Sequence, residues 1–179
     1  MTIQLDFSTL DTQDALDMAV LIEKEAEDRY LFFADQIGHR YPGDAANFFT
    51  MMARNEQRHG AEISKQRRLL FGDTPSRVTE NMMGNNIEAP EPGKAIRYMS
   101  QRHALEVAME SEIKAYEFYN GILQFIQDAT VRELIKSLRD EEVVHQKLLN
   151  EQKAKYADTL ESDFDPEIDE PHVFRIPES

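Results

Sequence analysis

Apolar residues recur at three-and-four spacing in four stretches of the chain, and each stretch has a polar interruption in its apolar stripe. The first carries Leu16, Ala19, Glu23, Ala26, Tyr30, Phe33 and Ile37 on one face, and the second Phe49, Met52, Glu56, His59, Ile63 and Leu70. The third carries Leu105, Ala108, Glu112, Tyr116, Tyr119, Leu123 and Ile126, and the fourth Val131, Leu134, Leu138, Glu142, His145 and Leu148. This spacing is that of an amphipathic helix, so four long helices and an all-α fold are expected. Asp11 or Thr12 offers an N-cap to the first helix and Asp128 to the fourth, while Gly38 is placed to end the first. Pro42-Gly43-Asp44 forms a short turn into the second helix, which runs to about Leu70. Such short turns make neighbouring helices antiparallel.

Between Phe71 and Pro92 the periodicity disappears among Gly72, Pro75, Gly84, Asn85, Asn86, Pro90 and Pro92. A connection of about twenty residues extends to roughly 65 Å, beyond the roughly 40 Å of the second helix. It can return the chain to the other end of a bundle. A third helix starting near Gly93 then runs parallel to the second, and the fourth ends near Tyr156. The expected organisation is an arm over 1–11, a four-helix bundle over 12–157 and an acidic, proline-containing tail over 158–179. The tail reads as solvated chain, with a docking peptide built on Val173, Phe174 and Ile176 as the other reading.

The polar interruptions repeat. Glu56-x-x-His59 and Glu142-x-x-His145 each put a carboxylate and an imidazole one turn apart on a helix face. About thirty residues before each stands Glu-x-x-Ala-x-x-x-Tyr, with Glu23, Ala26 and Tyr30 in one half and Glu112, Ala115 and Tyr119 in the other. A helical hairpin that occurs twice and packs on itself gives a bundle of approximate two-fold symmetry. Glu23, Glu56, Glu112 and Glu142 all fall near the midpoints of their helices, and midpoints meet in one layer whichever way the helices run. Four carboxylates close together in a dry core cannot all stay ionised without cations. Two divalent metals cancel that charge, and oxygen ligands with one imidazole per metal suit iron or manganese.

Composition narrows the alternatives. The chain has 179 residues and no cysteine, which excludes disulfides, thiolate metal sites and a thiol nucleophile. A formal charge of −14 repels nucleic acid and anionic membranes and attracts cations. With no apolar run of membrane-spanning length and no leader-like start, a soluble cytoplasmic protein is expected. His39, beside Gly38, and His103 lack a Glu-x-x-His partner and read as turn or surface residues. Glu25, Glu27 and Glu141 are expected to face solvent, with Glu141 alternatively placed to orient a ligand.

Over about residues 12 to 157, these motifs make the chain resemble a rubrerythrin-type member of the ferritin-like di-iron superfamily. The resemblance implies a ferritin-like four-helix bundle with a long crossover between its second and third helices. It also implies two iron ions, or manganese in their place, held by Glu23, Glu56, His59, Glu112, Glu142 and His145, with Glu56 and Glu142 bridging. Tyr30 and Tyr119 match family tyrosines that hydrogen-bond the ligand set, which makes them candidate catalytic residues. Two departures are evident. Rubrerythrins proper carry one more Glu on the third helix, where this chain has Ala115 or Met109 depending on alignment, so an exchange of carboxylate for histidine at one iron is not implied. They also carry a four-cysteine rubredoxin domain, so the electrons are expected from an external donor protein or small reductant. The implied activity is di-iron oxidoreduction of hydrogen peroxide or, more slowly, oxygen. The rival is a ferroxidase subunit of an iron-storage shell. A homo-oligomer, dimer or larger, is the expected assembly.

Overall fold

A computed structural model describes residues 10–40, 44–78 and 100–156. It contains four helices: α1 (Thr12–Arg40), α2 (Asp44–Phe71), α3 (Gln101–Ile122) and α4 (Ala129–Lys153). Residues 1–9 of the expected arm, the acidic tail, the residues of the first turn before Asp44 and the later part of the crossover lie outside the described residues.

Local sequence sets the helix ends. Asp11 is the cap of α1: its carboxylate accepts from the Asp14 amide at 2.9 Å, and its own amide donates to the Asp14 carboxylate at 3.3 Å. This reciprocal arrangement satisfies two backbone donors that a helix start leaves without partners. Asp128 caps α4 by accepting from the Val131 amide at 2.9 Å. Ser100 caps α3 in the same way through the His103 amide, which puts the helix start at Gln101 rather than near Gly93. At the end of α2, Gly72 adopts φ 58°, a left-handed conformation that costs a side-chain-bearing residue energy, and its amide donates to Arg68 O at 2.9 Å. Gly38 does not end α1, which continues to Arg40. Instead, a Cβ at Gly38 would lie 3.5 Å from that of Ala46, so small residues meet where α1 and α2 approach.

Contacts along the helices fix their directions. Gly38 lies against Ala46 and Gly60 against Glu23, so α1 and α2 are antiparallel. Tyr30 reaches Glu112 and Tyr119 reaches Glu23, so α1 and α3 are antiparallel as well. It follows that α2 and α3 run the same way, as the long crossover requires. Arg102 donates to Tyr156 O at 3.2 Å while His145 meets Glu112, which makes α3 and α4 the second antiparallel hairpin.

The start of the crossover folds back on α1. Arg67 donates to Asp17 at 2.8 Å and to Gly72 O at 2.9 Å, and it also reaches Thr74 O. Gln13 donates to Pro75 O at 3.1 Å, and Val78 is buried against the core. The core itself is in two parts. One apolar cluster gathers Leu16, Ala19, Ile22, Ile63, Phe118, Ile122, Val131, Ile135 and Leu138, and the other Tyr30, Phe33, Ile37, Phe49, Met52, Leu105, Ala108 and Leu149. Between them, on every helix, stand the buried polar residues Glu23, Glu56, His59, Glu112, Glu142 and His145.

The seam departs from the expected stripe toward the helix ends. On α4 the buried series is Val131, Ile135, Leu138, Glu142, His145 and Leu149, with Leu134 and Leu148 only half-buried. On α3 Phe118 is buried where Tyr116 was expected, and on α2 Leu70 is 41% exposed. A three-and-four pattern leaves a choice of one residue at each turn, and packing against the neighbouring helix makes that choice.

Candidate metal centre

Each helix places its polar residue at the level where the two apolar clusters meet, and all six sequence-identified residues come together there. The side chains of Glu23, Glu56, His59, Glu112, Glu142 and His145 are all at least 96% buried. His59 Nδ1 lies 3.2 Å from Glu56 Oε2 and 3.4 Å from Glu23 Oε2. His145 Nδ1 lies 3.2 Å from Glu56 Oε1, 3.2 Å from Glu112 Oε2 and 3.4 Å from Glu142 Oε2. The two imidazoles stack with their centroids 5.6 Å apart and 17° between planes.

Atoms able to ligate a metal form two groups, Glu23 with Glu56 and His59, and Glu56 with Glu142 and His145, the atoms of each lying within 4.8 Å of one another. Glu56 belongs to both. Its Oε2 faces His59 and its Oε1 faces His145, so this one carboxylate spans the two groups.

Tyrosines brace the layer from both ends. The Tyr30 hydroxyl donates to Glu112 Oε1 and the Tyr119 hydroxyl to Glu23 Oε1. Burial raises both phenols well above their ordinary value, and the adjacent carboxylates raise them further. Both therefore remain proton donors.

The electrostatics of the layer are those of crowded acids. Burial, reinforced by the neighbouring carboxylates, pushes the Glu56 and Glu142 carboxyls well above the ordinary range. Glu112 is drawn below it: burial acts to raise it, but hydrogen bonds from Glu142, His145 and Tyr30 prevail. The His59 imidazole is raised to about 11: burial alone would lower it, but the Glu23 and Glu56 carboxylates beside it prevail.

Hydrogen bonds within the layer do not satisfy it. Glu23 Oε2, Glu56 Oε1 and Glu142 Oε2 are buried without a hydrogen-bond partner, and all three belong to the two groups. An acceptor orphaned in a dry interior costs about 1–3 kcal/mol, and more when charged. Oxygen-rich donor sets with one imidazole each, inward and short of partners, fit two divalent cations.

Of three further contacts, one takes the alternative offered for Glu141 and two, Arg58 with Glu141 and Gln146 with Glu112, escaped the sequence reading. Glu141, expected in solvent, places Oε2 2.7 Å from His59 Nε2, the alternative role allowed for it. Arg58 Nη2 sits 3.1 Å from the same carboxylate oxygen, and Gln146 donates to the Glu112 backbone carbonyl at 3.3 Å. Helix spacing carries no sign of cross-helix pairs such as Arg58 with Glu141. Glu25 and Glu27 are half-buried rather than exposed, accepting from Arg29 at 2.7 Å and from Gln57 at 2.9 Å. His103 is exposed as expected. Ala115 and Met109, at the positions of the additional family Glu, are half-buried among apolar neighbours.

Comparison with known proteins agrees with this architecture. The family model described as Rubrerythrin matches residues 14–153. An uncharacterized conserved protein from Magnetospirillum magnetotacticum MS-1 superposes with a TM-score of 0.72 at 27% identity, over 84% of this chain and 98% of that one. A hypothetical protein from Pyrococcus furiosus shares the fold with a TM-score of 0.64 at 20% identity, over 84% of this chain and 95% of that one. No curated protein matches the chain. Two Glu-x-x-His helices, two Glu-x-x-Ala-x-x-x-Tyr helices and the family match across the whole bundle lead to one conclusion: the chain belongs to the rubrerythrin family, within the ferritin-like superfamily.

Proposed function

We propose that the protein is a di-iron peroxidase that reduces hydrogen peroxide to water, with electrons supplied from outside this chain. The observation that carries the proposal is Glu56, one buried carboxylate whose two oxygens face the histidines of two separate ligand groups. Glu23 and His59 complete one metal position, and Glu112, Glu142 and His145 the other. When bound there, a pair of ferrous ions supplies the two electrons that, with two protons, convert one peroxide into two waters.

The chain's own residues set the conditions. Tyr30 and Tyr119 hold their protons against the outer oxygens of Glu112 and Glu23, which leaves the inner oxygens of those carboxylates aimed into the layer. The two apolar clusters close the layer above and below and exclude bulk water, which strengthens every electrostatic interaction within it. Four ionised carboxylates with two neutral imidazoles would match the charge of two divalent cations.

Stopped-flow oxidation of the anaerobically reduced protein tests the reading. About one equivalent of hydrogen peroxide is expected to oxidise one di-iron site, faster than oxygen does at comparable concentration. Glu56→Ala and Glu142→Ala are each expected to abolish the reaction. Faster oxidation by oxygen, with iron uptake continuing far beyond two per bundle, assigns the chain instead to iron storage.

A further inference from the structure

The internal repeat gives each metal position a Glu-x-x-His pair and one further Glu, but not the same groups behind them. His59 offers Nδ1 to Glu23 and Glu56, and its other nitrogen, Nε2, meets Glu141 Oε2 at 2.7 Å. Arg58 Nη2 holds that carboxylate oxygen at 3.1 Å. This chain of contacts leads from the buried layer to the surface, for the Glu141 side chain is 38% exposed and that of Arg58 57%. In the repeat that pairs Glu56 with Glu142 and His59 with His145, Asn55 stands in the place of Glu141 and Val144 in that of Arg58. An amide and an isopropyl group replace a carboxylate and a guanidinium. The ion pair therefore serves one histidine and has no duplicate in the repeat.

We propose that Glu141, held by Arg58, is a positioning residue that makes the two metal positions unequal, supporting the His59 position selectively. The inference rests on the dimetal reading above and deepens it. A histidine that donates Nε2–H to a carboxylate keeps Nδ1 free of a proton and directed at the metal, and the negative charge behind the ring strengthens it as a donor. Arg58 keeps that carboxylate from turning to solvent. Among the described residues no carboxylate stands behind His145 in this way; its Nδ1 meets Glu56, Glu112 and Glu142 on the inner side.

Cobalt(II) titration of the full chain, followed by calorimetry and by visible absorption, is the test. The unaltered protein is expected to take up two cobalt ions in two resolved steps. Glu141→Leu weakens one step by about 10- to 100-fold, the usual effect of removing a partner behind a ligand, and leaves the other nearly unchanged. Glu141→Gln, which keeps an acceptor for Nε2–H, weakens the same step less, and Asn55→Leu moves neither. Proton NMR of the cobalt form gives an independent reading: a solvent-exchangeable, metal-shifted imidazole N–H from His59 is present in the unaltered protein and lost by exchange in Glu141→Leu. Two steps that coincide in the unaltered protein, or a Glu141→Leu titration that matches it or weakens both steps alike, overturn the proposal and leave the dimetal reading standing. Uptake of fewer than two cobalt ions by the unaltered protein overturns both.

Discussion

Tyr30 on α1 donates its hydroxyl to Glu112 on α3, and α3 returns the contact through Tyr119 and Glu23. The two halves of the repeat thus brace each other's carboxylates. Removing either hydroxyl leaves a buried carboxylate oxygen without its donor. Tyr30→Phe and Tyr119→Phe are each expected to cost about 1–3 kcal/mol in denaturant unfolding of the folded protein. Each is also expected to weaken metal binding by roughly 10- to 100-fold, because the carboxylate loses its fixed orientation. Parallel urea titrations and metal titrations check both, and unchanged metal affinity would make the tyrosines ordinary core aromatics.

Stability of the metal-free protein is expected to depend on pH in an unusual direction. Glu56 and Glu142 are raised from 4.5, so above that pH the folded chain holds protons that the unfolded chain has released. Stability therefore falls as pH rises. His59 acts in the same sense: raised from 6.5 to about 11, it contributes stability that is complete below 6.5 and lost as pH climbs through that interval. Glu112, lowered from 4.5, opposes them only on the acid side, where its contribution disappears as pH falls. Urea unfolding in chelator, from about pH 5 to about pH 8, is expected to show a steady decline that added metal abolishes. Coincident profiles with and without metal would contradict the crowded-acid account.

At Gly60 the missing Cβ would sit 3.5 Å from the Cβ of Glu23, an ordinary van der Waals distance. Gly60→Ala is expected to stabilise the metal-loaded protein by about 0.5–1 kcal/mol, the gain from removing a glycine inside a helix, without altering metal stoichiometry. Thermal unfolding with metal analysis decides. A loss of stability would mean that α1 and α2 already stand at their closest approach beside Glu23.

The buried polar layer was legible in sequence because charged residues inside an apolar stripe demand an explanation, and Glu56 with His59 and Glu142 with His145 made that demand twice at one spacing. Helix midpoints then brought Glu23 and Glu112 to the same level. What stayed hidden depended on the neighbouring helix. Gly38 carries the composition of a helix end, yet it lies where α1 meets Ala46 and the helix continues past it. Ile135 and Leu149 rather than Leu134 and Leu148 face inward on α4 because helix packing selects between adjacent apolar positions. Ser100, rather than the break at Gly93, marks the start of α3 because its hydroxyl accepts from the His103 amide. Glu141 reads in sequence either as part of a solvated face or as a group behind a ligand, and only the approach of α2, which gives it His59 and Arg58, selects the second.

The polar layer that separates the two apolar clusters also decides where the molecule opens. A helix in an ordinary bundle exchanges its amide hydrogens fastest at its ends, since the centre is where apolar contacts are densest. Here the centres of all four helices pack against acids and imidazoles, while apolar contacts lie to either side. Under the dimetal reading, cations tie those centres together. Once they are withdrawn, the amides around Glu23, Glu56, Glu112 and Glu142 lose their protection before those around Phe33, Phe49, Ile122 and Ile135, and the bundle loosens from its waist outward.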